Sequence, residues 1–367
     1  MIYIGIIVLF IVITIVWYFE FKAFSIPVLY YHHIEPSDPV NPQVFEEQMK
    51  YLLSRGYSSI SLNELYEFMA GSRMVARKSF VLTFDDGFYC NYHYLFPILQ
   101  KYHLKATIFV VSGVRKQTIS SEQREYSKGY PSRMGANTES AERFATWDEL
   151  NIMLKSGLVQ VEDHSLFHDR IYISDKIAGF NTGIEIDWPI WGDKRPGTVK
   201  YQTGSYIAHK NFTGDYKLNE HLVNITKNNK LDLFDPDSID TLKNAYRRYK
   251  ANNPIRLVYE SEHSFVMRSK MDIEKSRKTI EEHTKTLPMF FCFPWGEYNS
   301  AVINIIKELG YKGAITTDKG GNVKGGDPYR IKRFKVYKSS IKWFRRYFLI
   351  HKSRILVSLY SNFYGWF

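Results

Sequence analysis

The chain has 367 residues, of which 44% are hydrophobic and 24% are charged, a balance that supports a sizeable core and excludes wholesale disorder. Only two cysteines occur, Cys90 and Cys292, which excludes a disulfide framework but leaves one bridge or two free thiols open. The net charge of +11 comes almost entirely from residues 328–367, which carry ten Lys or Arg and no Asp or Glu, so no nucleic-acid partner is expected.

The N-terminal run from Ile2 to Phe19 is uncharged and predicts a transmembrane helix. Its 18 residues approach the roughly 20 that cross a bilayer, and Trp17 and Tyr18 at its end are typical of a membrane interface. A cleaved signal peptide is the alternative, but it requires a basic start and a small-residue cleavage site, and neither is visible. We therefore expect a single-pass membrane anchor over residues 1–22.

Strand and helix patterns alternate along most of the remaining chain. Strand patterns occupy residues 27–31, 79–84, 106–113, 158–165, 290–293 and 313–318. Helix patterns occupy residues 42–55, 61–70, 92–102, 147–157, 275–285 and 299–310. This alternation predicts parallel strands joined by crossover helices, and about six or seven such units favour a distorted (β/α) barrel over a small open sheet.

Several polar residues fall where these strands end. In barrel-like α/β folds the functional site lies at the carboxyl edge of the strands. The spacing therefore predicts that one face of the domain carries His32, Asp85, Asp86, His164 and Pro294.

Two regions depart from the alternation. Residues 170–262 are rich in Asn, Lys, Tyr and Gly, and they are interpreted as an insertion over the functional face or as a small subdomain. Residues 339–367 form a basic tail that is rich in aromatic side chains. Such a tail is typical of a segment on anionic lipid, although an anionic polysaccharide or a partner subunit would suit the same chemistry. The alternative is a final helix packed on the barrel with a solvated basic face.

The segment EDHSLFHD places His164 and His168 four residues apart, on one face if the turn is helical. Two imidazoles and one carboxylate, with Asp86 as the carboxylate, make a hydrolytic metal site that keeps open positions for water. Asp85 is then free to act as the base toward that water. The alternatives are ordinary surface histidines and a strand that simply ends in a turn at Gly87.

Three motifs occur together and in order: TFDDG at 83–87, HSLFH at 164–168 and FPWGEYN at 293–299. Their combination resembles the polysaccharide deacetylase family, carbohydrate esterase family four. The flanking text PVLYYHHI, FEEQMKYLLSRGY and LKATIFVV is similar to membrane-associated exopolysaccharide N-deacetylases. The resemblance covers roughly residues 26–168 and 269–337, inside a deacetylase domain predicted over 26–338, and leaves the insertion outside.

The resemblance implies specific roles. Asp85 resembles the general base of the family, and Asp86, His164 and His168 resemble its three metal ligands. The metal is expected to be zinc, with cobalt or nickel also able to support activity. The implied reaction hydrolyses an acetamide on a hexosamine unit and releases acetate and a free amine.

The third motif departs from the family pattern. Many members carry an Arg two positions before the proline, oriented on the catalytic base, whereas this chain has Cys292 there. We interpret the change as a mark of the exopolysaccharide branch. The following residues, Pro294, Trp295 and Gly296, are predicted to bind substrate as one wall of the groove.

The catalytic acid is also a departure, because the late Leu-x-His motif of the family is missing and RIKRFKVY stands after FPWG instead. His32 is the first candidate for the acid, and His209 and His263 are weaker ones. A histidine that only caps the first strand is the alternative for His32. Asp187 and Trp188 resemble a fourth family motif, but they precede FPWG rather than follow it.

These features predict a membrane-bound enzyme that removes N-acetyl groups from a cell-envelope or extracellular polysaccharide. Its catalytic domain is expected on the extracytoplasmic side of the cell membrane. The alternatives are an O-deacetylase, a deacetylase of a lipid-linked sugar, and a catalytically weak glycan-binding protein with the same fold.

Overall fold

The computed structural model describes residues 24–118, 143–184 and 188–364. Six further positions are described near the N terminus, all of them helical: Tyr3, Gly5, Ile6, Phe10, Ile11 and Thr14. The rest of the predicted anchor, residues 1–22, lies outside the described residues. Among the helices that are described, none combines the length and the apolarity needed to cross a membrane. The anchor therefore stays a prediction from the sequence.

The strands of the described residues are numbered in chain order. They are β1 Val28–Tyr31, β2 Ser58–Ser59, β3 Ser79–Phe84, β4 Ala106–Val110, β5 Val159–Asp163, β6 Arg170–Phe180, β7 Ile190–Trp191, β8 Val199–Ser205, β9 Phe212–Thr213, β10 Val258–Tyr259, β11 Phe290–Cys292, β12 Gly313–Ile315 and β13 Phe334–Lys335.

The main sheet has the strand order β12-β11-β5-β4-β3-β1-β13, with β2 paired to β3. Its pairings are parallel, with Val28 opposite Val81 and Ala106 opposite Val159. In addition to these pairings, Ile331, just before β13, forms a parallel bridge to Ile315 of β12. The two edges of the sheet therefore approach each other. The curled parallel sheet confirms the predicted α/β architecture of a distorted barrel.

The α-helices of the described residues are also numbered in chain order. They are α1 Pro42–Ser54, α2 Leu62–Ala70, α3 Phe96–Tyr102, α4 Trp147–Lys155, α5 Tyr216–Asn228, α6 Pro236–Asn252, α7 Glu262–Thr284, α8 Ser300–Glu308, α9 Ile341–Lys352 and α10 Arg354–Tyr364. Helix α2 begins as its sequence predicts, because the Ser61 hydroxyl accepts from the N–H of Glu64 and the Glu64 carboxylate accepts from the N–H of Ser61.

Strand β3 is buried along its whole length. Its side chains alternate between two apolar clusters, with Leu82 beside Leu29 in one and Val81 beside Val28 in the other. Burial of each such side chain contributes about 1.5–3 kcal/mol relative to exposure. Packing on both faces therefore fixes where β3 ends, and with it the position of Asp85.

Residues 170–262 do not follow the alternation because they form sheets of their own. Strands β6, β7 and β8 make a three-stranded sheet and β9 pairs with β10. Helices α5 and α6 accompany these sheets, and the segment has a separate apolar cluster: Tyr172, Phe180, Val199, Tyr201, Phe212, Leu218, Leu222, Leu233 and Leu242. The insertion thus packs around an apolar cluster of its own, as a small subdomain does.

The basic tail begins with α9, which packs on the barrel. Phe344 and Phe348 are buried, and the ring of Phe348 lies 5.0 Å from that of Tyr57. Arg345 and Arg346 lie on the exposed side of the helix. The arrangement of α9 supports the alternative of a packed final helix with a solvated basic face.

Candidate active site

Two adjacent carboxylates, Asp85 and Asp86, follow the last residue of β3. The backbone N–H of Asp85 donates to the carbonyl of Tyr31 at 3.0 Å, so Asp85 continues the pairing of β3 with β1. Asp86 has φ +66°, in the left-handed region that non-glycine residues rarely adopt. After this reversal the two neighbouring side chains meet different partners, Arg333 for Asp85 and His164 for Asp86.

Gly87 and Arg115 hold this turn. Gly87 has φ +66°, and a Cβ there would collide with the guanidinium of Arg115. Arg115 donates to the carbonyl oxygens of Asp86, Gly87 and Ala145, the last two at 2.7 Å. Sequence reasoning missed Arg115, because a single Arg in a loop carries no pattern that reveals its backbone partners.

His164 and His168 lie in the turn after β5. Ser165 has φ +72° and His168 has φ +58°, so the two imidazoles meet through a left-handed turn and not on one face of a helix. Asp163 anchors the start of the turn with three hydrogen bonds, which it accepts from the N–H of Ser165 and the hydroxyls of Ser276 and Tyr311. Such strain at a site persists only where the surrounding structure enforces it.

Asp86, His164 and His168 converge in the way that metal ligands do. Oδ1 of Asp86 lies 3.5 Å from Nε2 of His164 and 3.8 Å from Nε2 of His168. One potential ligand atom from each residue lies within 4.8 Å of the others, and all three residues are buried. Nδ1 of His164 lies 2.8 Å from the carbonyl of Cys292, a contact that orients its other nitrogen toward Asp86. One oxygen and two nitrogens fit a divalent metal with open positions.

Burial controls the charge of both histidines. It lowers the pKa of His164, although the nearby Asp85 carboxylate works against the shift. It also lowers the pKa of His168 well below its ordinary value, and repulsion from His164 adds to the effect. Both imidazoles are therefore neutral at neutral pH, which is the state in which a histidine binds a metal.

Asp85 is held by Arg333, a residue that the sequence did not reveal. Nη1 of Arg333 donates to Oδ1 of Asp85 at 2.7 Å, and Nη2 donates to Oδ2 at 2.9 Å. Nη2 also lies 3.2 Å from Sγ of Cys292. Cys292, a small side chain, thus lies beside Arg333. This arginine belongs to the segment before β13 and binds the proposed base, Asp85. In the sequence, Arg333 appears as an arginine inside the strand-like run RIKRFKVY.

The ion pair determines the protonation of Asp85. Burial by itself raises the pKa of this carboxyl, but the Arg333 guanidinium, with His164 and His32, holds the pKa well below its ordinary value. Asp85 is consequently ionised at neutral pH, and its two hydrogen bonds to Arg333 fix its orientation.

His32 follows β1 and lines the same cavity as Asp85 and Asp86. Burial lowers its pKa to about 4, so the imidazole is neutral at neutral pH and must gain a proton before it can donate one. His209 lies 2.8 Å from the Glu297 carboxylate, and His263 is exposed at the start of α7. Neither His209 nor His263 is among the described residues that line the cavity.

The third motif contains a tight turn at Pro294–Gly296. Trp295 has φ +63°, and its ring lies 4.7 Å from that of His168. Gly296 has φ +72°, and a Cβ there would collide with Thr317. Trp295 and Gly296 line the cavity as predicted, whereas Pro294 starts the turn and is buried beneath it. Pro294 therefore positions the wall but does not form it.

The insertion supplies further lining residues of the cavity, which has a volume of about 1360 Å³. The ring of Trp188 lies 4.5 Å from that of His168. Trp191 donates its Nε1–H to Oδ2 of Asp169 at 2.6 Å and leaves 54% of its surface exposed. Asp187, the other residue of the proposed fourth motif, lies outside the described residues.

Comparison with known proteins shows what the chain is similar to. The model of the polysaccharide deacetylase family matches residues 72–185 and 265–314. The predicted polysaccharide deacetylase YxkH of Bacillus subtilis is 34% identical over 181 residues, which are 48% of this chain and 61% of YxkH. The poly-beta-1,6-N-acetyl-D-glucosamine N-deacetylase of Escherichia coli K12 is 22% identical over 281 residues, 77% of this chain and 31% of that protein. The chain thus spans less than two thirds of either relative.

A solved structure shares the fold. The deacetylase domain of BpsB from Bordetella bronchiseptica matches with a TM-score of 0.57 and 18% identity, over 85% of this chain and 96% of that domain. The matched family region contains the carboxylate pair after β3 and the histidine pair after β5. The three ordered motifs, their meeting at one edge of the sheet and the match of the family model identify a polysaccharide deacetylase domain in this chain.

Proposed function

We propose that this protein is a metal-dependent hydrolase that removes N-acetyl groups from hexosamine units of a cell-envelope or extracellular polysaccharide. The observation that carries the proposal is the convergence of Asp86, His164 and His168 beside an ionised Asp85. The donor set of one carboxylate and two imidazoles favours zinc, with cobalt or nickel as substitutes.

Each residue of the site has a proposed role. Asp85 accepts a proton from the attacking water, and Arg333 keeps this carboxylate ionised and oriented toward that task. A divalent metal held by Asp86, His164 and His168 supplies Lewis acidity toward the water and the acetyl carbonyl. His32, which lines the cavity, takes up a proton from solvent and donates it to the leaving nitrogen, and Asp85 returns the proton of the attacking water to solvent.

We propose a polymer of N-acetylhexosamine as the substrate. One relative is named for its action on poly-beta-1,6-N-acetyl-D-glucosamine. The cavity of about 1360 Å³ exceeds the roughly 300–1,000 Å³ of an ordinary small-molecule site, which suits more than one sugar ring. Trp188 and Trp295, whose rings both lie beside that of the metal ligand His168, offer flat apolar faces to those sugar rings.

We further propose that the enzyme is anchored in the cell membrane by residues 1–22, with the catalytic domain on the extracytoplasmic side. Support comes from the uncharged run Ile2–Phe19 and its interfacial Trp17 and Tyr18. The expected outcome is that the full chain sediments with membranes and that its catalytic domain is digested by protease added to intact spheroplasts. Recovery of the full chain in the soluble fraction would contradict the anchor.

Acetate release from a panel of acetylated glycans tests the proposed activity, with and without a chelator. We expect activity on an N-acetylhexosamine polymer that the chelator abolishes and added zinc restores. Asp85→Asn keeps the size of the side chain but removes the base, so kcat is expected to fall by about 10²–10⁴-fold. Chelator-resistant activity, or an Asn variant with unchanged kcat, would refute the mechanism. Glycan binding without acetate release would favour a binding protein instead.

A further inference from the structure

A second group of metal-ligating side chains lies close to the active site but is not part of it. It consists of His33, Glu35 and Cys90. One potential ligand atom from each, an imidazole nitrogen, a carboxylate oxygen and a thiol sulfur, lies within 4.8 Å of the others. Glu35 and Cys90 are buried at 6% and 3% exposure, and His33 is partly buried and lines the main cavity.

Local contacts hold these side chains in place. The His33 ring stacks on Phe88 with centroids 4.0 Å apart. Glu35 lies in a turn in which its carbonyl accepts from the N–H of Asp38 at 3.0 Å. In the segment after β3, the side-chain amide of Asn91 donates to the carbonyl of His32 at 3.0 Å and lies 3.8 Å from the Cys90 sulfur. The group therefore lies between two segments that are already connected.

The other buried cysteine provides a contrast. Asp85, His164 and Cys292 also bring ligand atoms within 4.8 Å of one another. In that group, however, Arg333 binds both oxygens of Asp85 and lies 3.2 Å from the Cys292 sulfur. A guanidinium cation already compensates the charge there, which leaves no role for a metal ion.

We propose that His33, Glu35 and Cys90 form a second site for a divalent metal ion, separate from Asp86, His164 and His168. Imidazole, carboxylate and thiolate together are the donor types of zinc sites. The Cys90 thiol loses its proton to solvent as the metal–sulfur bond forms. His33 and Glu35 follow β1 and Cys90 follows β3, so the ion would join the two strand ends that deliver His32 and Asp85.

Cobalt substitution tests this site independently of the proposed activity. The full chain is freed of metal with a chelator and titrated with Co²⁺, and bound metal is counted by plasma mass spectrometry. A thiolate ligand produces an intense near-ultraviolet charge-transfer band, which Asp86, His164 and His168 cannot produce because they contain no sulfur. We expect this band in the wild-type chain, together with two bound ions.

Two serine variants form a matched pair, because both replace a buried cysteine near the cavity. Cys90→Ser is expected to lose the band and one ion, while Cys292→Ser keeps both. Far-ultraviolet circular dichroism checks that each variant folds, and His33→Asn serves as a second test, with at least a tenfold weaker cobalt affinity expected for the band. The proposal is overturned by wild-type protein that saturates without the band, or by a band that Cys292→Ser removes and Cys90→Ser retains.

Discussion

The barrel and the insertion both face the same cavity, but they contribute different kinds of residue. The strand ends of the barrel supply buried charged groups with fixed partners, such as Asp85 with its two bonds to Arg333. The insertion supplies aromatic side chains, such as Trp191, which is half exposed and held through one hydrogen bond to Asp169. The family model matches residues 72–185 and 265–314, so it covers the start of the insertion and leaves residues 186–262 of it unmatched.

This difference separates chemistry from recognition. Buried charges lose hydration, so they are stable only with well-placed partners, and such partners restrict what the barrel sequence can change. Exposed aromatic faces tolerate many neighbours and bind flat apolar surfaces. We therefore expect substitutions at the strand ends to affect folding and kcat together, and substitutions in the insertion to affect substrate affinity alone.

The largest effect is expected for Arg333→Met, which removes the charge but retains much of the side-chain volume. The variant leaves Asp85 buried without its cation, so the free energy of unfolding should fall by about 3–5 kcal/mol at pH 7. The pKa of Asp85 lies below its unfolded value in the wild type, so the pair stabilises the fold above about pH 4 and this stabilisation disappears as the pH falls further. Urea unfolding at pH 7 and at pH 3 measures both effects.

A nearby arginine is the control for that variant. The exposed Arg330 side chain pairs with Asp327 at 3.8 Å and lies 5.8 Å from the centre of the Tyr298 ring, so Arg330→Met should change the free energy of unfolding by less than about 1 kcal/mol. Equal losses for the two variants would contradict the importance of the buried pair.

An intermediate effect is expected for Glu162→Gln in β5. Burial raises the pKa of Glu162 to about 8, although the hydrogen bonds that it accepts from the N–H groups of Met289 and Phe290 lower this pKa. The folded protein therefore holds a proton that the unfolded chain releases above about pH 4.5, and stability falls by about 1.4 kcal/mol per pH unit between these values. Gln has no titrating proton, so the variant should lose this part of the dependence of the free energy of unfolding on pH.

A carboxylate of the insertion provides the comparison. Glu220 is partly exposed and pairs with Arg195, which lowers the pKa of Glu220. Glu220→Gln should leave the pH dependence of unfolding between pH 5 and pH 8 as it is in the wild type. A slope that survives in Glu162→Gln would show that other buried acids, such as Asp272, account for it.

The smallest effect is expected for Trp191→Ala. The loss of one aromatic face should raise KM for a polymeric substrate by roughly three- to tenfold and leave kcat within about twofold of the wild type. Phe234→Ala is the matched control, because Phe234 is an exposed aromatic of the insertion that is not among the described residues lining the cavity. Steady-state kinetics that show a fall in kcat with unchanged KM would contradict the separation of roles.

Prediction from the sequence succeeded where local pattern and motif coincide. The run SFVLTF predicts a buried strand, and DDG after it places two carboxylates at the sheet edge, where the structure has them. The helix start at Ser61 was also predictable, because the capping interactions are made within four residues. The sequence left open whether the turn with His164 and His168 is helical, because the spacing of two residues does not reveal the left-handed backbone that the structure shows.

The amino-acid sequence by itself determined most of the alternation of strands and helices in the barrel, the resemblance to a family and the chemical types at the strand ends, because these depend on periodicity and on short motifs. Only the tertiary structure decided which distant residue meets Asp85, since Arg333 lies 248 residues further along the chain and pairs with it across the sheet. The same holds for Trp191 and for the approach of Cys90 to His33. Such contacts arise when packing brings strand ends and loops to one edge, and no local pattern of residues encodes them.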